Sequence, residues 1–214
     1  MPGTVESKAR LEPASETRAP RKPVQQRSLQ SVERILEATS RVLARQTLAN
    51  LTTTQVALEA GISIGGLYRF FPDKQTLIDA VAIRRIEEFA AQLNLELLLS
   101  TPGDPVSLLS EIVDRYIQFL DAHPDFRQIA LGRHVSEAAR QKHVSPNTGI
   151  TAIVRKLLAD QLGEAIPHEL DLRLRIANEV GERLIAFAYE QPGVARRKEV
   201  LEEMKRLLAV YLFS

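Results

Sequence analysis

Residues 52–77 read TTTQVALEAGISIGGLYRFFPDKQTL, and this stretch decides the fold. Thr52-Thr53-Thr54-Gln55 has the form of a capping box, with Thr52 as the N-cap and Gln55 reaching back to it. The helix it opens is short, Thr53 to Ala60, and Gly61 is a ready left-handed stop. Ser63 caps a second short helix, Ile64 to Phe70, which Pro72 and Asp73 end; Asp73 then caps the next. Helices this short are marginal alone. They make sense as a helix-turn-helix packed on a third helix. Val56, Ala57, Ala60, Ile62 and Leu67 supply its small core, which leaves Ile64, Gly65, Gly66, Tyr68 and Arg69 outside. Two adjacent helical glycines cost roughly 1 kcal/mol each relative to alanine. That cost is tolerable where a backbone must approach another surface closely, and a major groove is such a surface. Taken alone, the glycines read equally well as a turn.

Outward from this stretch the chain is helical. From Ser28, the residues Val32, Ile35, Leu36, Thr39, Val42 and Leu43 recur at 3/4 spacing. Residues 1–27 carry Pro2, Pro13, Pro20 and Pro23 and few large apolar side chains, so they are expected to be a disordered arm. Beyond the motif, periodicity and breakers predict helices over 75–99, 105–122, 126–140, 149–162, 167–190 and 194–213. Val144 to Thr148 is expected to be a loop, and Gly163, Pro167, Pro192 and Gly193 mark later breaks. The expectation is an all-α chain of about nine helices: an arm at 1–27, a helix-turn-helix domain at 28–75 and a helical body at 76–214.

Charge divides the same way. Residues 18–74 hold nine cations against four acids, whereas residues 75–214 hold seventeen against twenty. One end of the molecule is therefore suited to a polyanion; a solvated tail would carry the same charges. Cysteine is absent, which removes disulfides, thiolate metal sites and a cysteine nucleophile. His123 with Asp121 and Asp125, or His134 with His143, match no metal-ligand spacing. A Gly-x-Ser-x-Gly elbow and a phosphate loop after a strand are missing, so neither enzyme activity, metal nor cofactor is expected. The longest apolar run, Leu93 to Leu99, is interrupted by Asn94 and Glu96, and no signal-peptide core opens the chain. A cytoplasmic protein without a membrane partner is expected.

The stretch from Thr52 to Leu77 resembles the TetR family of tetracycline-repressor-like transcriptional regulators. The shared pattern is a Thr-capped helix with Ala-x-x-Ala-Gly, a short Gly-x-Leu-Tyr recognition helix, then Phe and a Lys opening helix four. The resemblance covers residues 28–80. It implies that Thr52, Thr54, Tyr68 and Lys74 meet phosphates, positioning the protein rather than reading sequence. Base contacts would fall to the face formed by Ile64, Gly65, Gly66 and Arg69, with Ser63 at its start. Ile64 suits a thymine methyl and Arg69 a guanine. Gly66 stands where the family often has Thr, and Thr47 where it has Gly. With one hydroxyl fewer, more weight falls on Arg21, Lys22 and Arg27, which in an arm would reach the adjacent minor groove.

One such unit reads one half-site, so specificity implies a homodimer on a pseudo-palindromic double-stranded operator. The resemblance implies a four-helix interface built from the last two helices, through Leu174, Ala177, Gly181, Leu184 and Ala188 on one and Met204, Leu208 and Tyr211 on the other. The same stripes would serve as monomer core. It also implies an unidentified small-molecule effector within helices four to eight. Candidate lining residues are Phe89, Leu93, Tyr116, Phe119 and Leu120, then Phe126, Ile129, Arg133, Phe187 and Tyr189, although packed core is the commoner role for each. Arg133-His134 and Asn178 with Glu182 are candidate polar anchors; a solvated face or an interhelical hydrogen bond would use the same residues. The expected function is a ligand-released repressor. The alternative is a regulator-like helical protein that binds a protein partner or small molecule without specific DNA binding.

Overall fold

A computed structural model describes residues 22–99, 104–143, 154–156, 159 and 168–213. The described residues form α1 (Lys22–Leu43), a 3-10 turn (Leu48–Asn50), α2 (Thr53–Ala60), α3 (Ile64–Tyr68), α4 (Lys74–Leu99) and α5 (Pro105–Ala122). They continue with α6 (Pro124–Leu131), α7 (Glu137–His143), α8 (His168–Glu190) and α9 (Val194–Phe213). No strand occurs among the described residues. The all-α expectation therefore stands, with a helix-turn-helix head of α1–α3 on a helical body reached through α4. Residues 1–21 of the arm expected at 1–27, the loop at 144–148 and most of the helix at 149–162 lie outside the described residues.

The head forms as its caps dictate. The Thr52 hydroxyl accepts from the Gln55 N–H at 3.3 Å, and the Gln55 side chain accepts from the Thr52 N–H at 3.0 Å. Gly61 takes φ +64°, and the Gly61 and Ile62 N–H groups return to the Leu58 and Ala57 carbonyls. That left-handed turn directs α3 across α2 and drives Leu67 to zero exposure in the core that Val56, Ala57 and Ala60 of α2 also enter. Burying a leucine side chain contributes about 1.5–3 kcal/mol.

Besides shifts of one to three residues at ends of α3, α4, α6 and α7, two larger differences from expectation appear. The first helix begins at Lys22, not Ser28, so part of the stretch expected to be disordered is helical. The predicted helix over 126–140 is two helices. The break is at Arg133, which takes φ 54°, with its N–H on the Ala130 carbonyl and the His134 N–H on the Ile129 carbonyl. This is a Schellman stop. Its left-handed residue is arginine because Gly132 lies one position too early and keeps φ −79°. Asp79 of α4 fixes the loop that follows, accepting from the Ser136 N–H at 2.9 Å and hydroxyl at 2.6 Å.

Head and body meet where α1, α4 and α6 pack together. Asp125, 3% exposed, accepts from Arg85 at 2.9 and 3.0 Å. Arg84 beside it donates to Glu33 at 2.8 Å and Ser40 at 3.1 Å, both on α1. Burial pushes the Asp125 carboxyl up, but hydrogen bonds from Ser40 and Arg85 together with the Arg85 charge outweigh it and hold it below its usual value. A carboxyl lowered by folding stabilises fully above its unfolded pKa of about 3.9, and that contribution is lost as pH falls through the folded value. Asp125→Asn is therefore expected to flatten the acid limb of a stability–pH curve measured by urea denaturation. Asp125→Ala is expected to cost about 3 kcal/mol at neutral pH, the low end for a broken buried pair because Glu88 still holds Arg85. An acid limb as steep in Asp125→Asn as in the parent protein would contradict this reading.

Candidate nucleic-acid interface

The exposed face of the head is built on α3 and the start of α2. Ser63 caps α3, its hydroxyl accepting from the Gly66 N–H at 3.1 Å. Ile64 and Tyr68 stand outward, 40% and 47% exposed, although both are large and apolar or aromatic. Beyond its chain neighbours and its own helix backbone, a Cβ placed on Gly65 would meet nothing within 4 Å. Nothing in this chain's own packing requires glycine there, unlike Gly66, whose Cβ would crowd the Ser63 hydroxyl at 3.1 Å. Arg69 continues the same edge, its guanidinium 4.9 Å from the Phe70 ring centre. Ser63, Ile64, Gly65, Tyr68 and Arg69 are thus gathered on one exposed strip, with Gly66 half-buried behind it.

Other expected contacts are placed less simply. The Thr52 hydroxyl is engaged in the cap, also donating to Gln55 Oε1 at 3.0 Å. Thr54 is exposed on the outer side of α2. Thr53 was not singled out from sequence, yet its hydroxyl shares a 3.0 Å hydrogen bond with Tyr68 Oη and ties α2 to α3 at the exposed edge. The pairing depends on how the two helices cross, which three consecutive threonines do not reveal. The Lys74 ammonium donates to the Leu48 carbonyl at 3.0 Å, so it already anchors the 3-10 turn. An ammonium has three donors, which leaves two. Elsewhere in the head, Glu59 bridges Arg41 and Arg45 at 2.7 and 3.1 Å. The Arg41 hydrogen bond holds the Glu59 carboxyl below its usual value against the upward push of burial. Of the expected arm cations, Lys22 and Arg27 lie on the first turns of α1 rather than on an unstructured tail, and Arg21 lies outside the described residues.

The body holds many of the expected interface and effector residues inside the single chain. Leu174, Ala177, Gly181, Ala188, Met204 and Leu208, expected at a dimer interface, are buried within the single chain. A Cβ on Gly181 would sit 3.6 Å from Leu208 of α9, so that close approach is intramolecular. Leu184 and Tyr211 remain half-exposed. They line an outer apolar groove on α8 and α9 with Ile176, Val180, Phe187, Leu207 and Val210. Among the candidate effector residues, Leu120, Phe126 and Ile129 are core. Phe89, Tyr116, Phe119 and Phe126 form one aromatic cluster, with ring centres 5.2–6.5 Å apart. Phe89, Leu93 and Phe119 also edge a cavity of about 220 Å³ between α4 and α5, whose rim is more polar. Arg133 lies at the surface, 3.5 Å from Glu179, and Phe187 faces the outer groove. Tyr189 donates to Asp121 at 2.8 Å; burial and that bond push its phenol up to about 12.

Tyr116 reaches a second cavity within the body, between α5, α8 and α9. It lines a space of about 140 Å³ together with Ile112, Asn178, Glu182, Ile185 and Met204. Burial pushes the Tyr116 phenol up strongly. Burial, with the Glu179 charge second, also raises the Glu182 carboxyl. Asn178 donates to Glu182 at 3.3 Å, so the expected polar pair does meet at this cavity.

Comparison with known proteins agrees with this geometry. Residues 35–81 match the profile of bacterial regulatory proteins of the tetR family, and residues 103–214 match that of a tetracyclin repressor-like C-terminal domain. The HTH-type transcriptional regulator AcrR of Shigella flexneri is 30% identical over 88 residues, 41% of this chain and 40% of that relative's length. A TetR-family regulator from Streptomyces coelicolor superposes with a TM-score of 0.66 at 28% identity, covering 85% of this chain and 97% of that one. RolR, crystallised with its ligand resorcinol, superposes with a TM-score of 0.64 at 17% identity, covering 86% of this chain and 89% of that one. The chain belongs to the TetR family of transcriptional regulators, helix-turn-helix DNA-binding proteins and not enzymes.

Proposed function

We propose that the protein is a ligand-released repressor that binds a pseudo-palindromic operator as a homodimer, with α3 in the major groove. The observation that carries the reading is Gly65. It pays a helix-propensity cost with open space above it, between an exposed Ile64 and an exposed Tyr68. A backbone bare at that point can lie against base edges, Ile64 can touch a thymine methyl and Arg69 can pair with guanine. Tyr68, Thr53 and Thr54 offer hydroxyls to the strand, and the two remaining Lys74 donors offer charge, as phosphate contacts do. Such a protein acts where the chromosome is, in the cytoplasm.

The second copy is proposed to seat on the outer groove of α8 and α9. Ile176, Phe187, Leu207 and Val210 are 41–66% exposed there, a contiguous apolar surface of the kind that marks an interface. The effector is proposed to occupy the cavity beside Tyr116, where apolar walls meet a few convergent polar groups. It releases DNA only in so far as it binds the two head arrangements unequally.

Gly65→Ala is expected to leave thermal stability unchanged or slightly raised, yet weaken duplex binding by about tenfold, or 1.4 kcal/mol. Duplex affinity equal to the parent's would remove α3 from the groove. Lys74→Ala is expected to weaken all duplexes alike and to lower the slope of log affinity against log salt by about one. An unchanged slope would mean that Lys74 serves only the Leu48 carbonyl. Leu207→Asp combined with Ile176→Asp is expected to give monomers in sedimentation velocity; a persistent dimer would place the interface elsewhere.

A further inference from the structure

Gln128 of α6 joins the body to the head in a way that neither the motif nor the proposed DNA contacts use. Its Nε2 donates to the Leu43 carbonyl at 2.9 Å and to the Gln46 carbonyl at 3.2 Å, and its Oε1 accepts from the Leu48 N–H at 2.9 Å. Both amide donors and the oxygen are thus engaged, and only one orientation of the carboxamide fits that pattern. The partners are backbone groups of the corner between α1 and α2, which the helix ends leave without helical partners. One turn earlier on α6, Asp125 faces the same side and meets Arg85 of α4, with Ser40 of α1 alongside. Phe126 and Ile129, 2% and 0% exposed, are packed in the core. The eight-residue α6 therefore carries polar rungs at Asp125 and Gln128 that reach the head.

We propose that the Gln128 carboxamide sets the orientation of the head on the body, and with it the separation of the two heads in a dimer. It is a positioning residue: it touches no base or phosphate, and acts through the α1–α2 corner on which α2 and α3 are mounted. This rests on the dimeric DNA-binding reading above. Two heads held rigidly at the correct spacing engage both half-sites at a high effective concentration; a head that swivels loses that gain without losing its own contacts.

The test uses the full chain, a duplex carrying both half-sites recovered by selection, and the same duplex with one half-site scrambled. Gln128→Met keeps the side-chain length and removes all three bonds. Gln128→Glu keeps the acceptor for Leu48 but turns a carboxylate toward two carbonyls. Both variants are expected to lose about tenfold in affinity for the full site while half-site affinity stays within about twofold. Backbone amides of residues 43–48 are expected to exchange faster in both. A full-site to half-site ratio equal to the parent's in both variants overturns the proposal, and so does an equal fall on both duplexes, which would mark a damaged head. If the parent protein binds neither duplex at low salt, the functional reading itself falls; a parent that binds both and variants that keep its ratio sink only the role of Gln128.

Discussion

The structure depends on one turn, the left-handed Gly61 that lets Leu67 enter the core of the head. α3 has five residues and cannot persist by its own hydrogen bonds. It exists because Ser63 satisfies its first turn, Gly61 sets its direction and Leu67 finds no exposure at all. Once Leu67 is inside, helical geometry leaves Ile64, Gly65 and Tyr68 outside. The exposure of two large side chains and a bare backbone follows from burying a third.

The polar groups around that turn serve the fold as much as a ligand. Thr52 closes a cap, Thr53 braces Tyr68, and Lys74 holds the Leu48 carbonyl. Each fixes the position of the exposed strip before any partner arrives, which lowers the ordering cost of binding. A network of the same kind continues into the body through Arg84, Arg85 and Asp125, so the head is seated on polar contacts and not on apolar packing alone. Its geometry relative to the body is accordingly specified by direction as well as by burial.

Much of the head was legible in the sequence because its signals are local. The capping box, Gly61, Ser63 and Asp73 each act within four residues, and each lies where the sequence predicted. The stop of α6 was not legible, because the left-handed position falls on Arg133 while Gly132, the residue that attracts such a prediction, stays helical. Nor was the polarity of α8 and α9. Both their faces are apolar at helical spacing, and only packing shows that Leu174 and Leu208 point inward while Ile176 and Leu207 point outward. Gln128 was invisible for a simpler reason: its partners are backbone groups some 80 residues away, and backbone leaves no trace in a residue pattern.

The central claim is that the strip from Ser63 to Arg69 reads duplex DNA, twice, in a symmetric dimer. Selection of bound fragments from a randomised duplex pool tests it most directly, since it returns the sequence, its symmetry and its spacing together. The account predicts enrichment of two inverted half-sites separated by a whole number of helical turns, roughly 10 base pairs each. An unenriched pool, or a single asymmetric site, would contradict it.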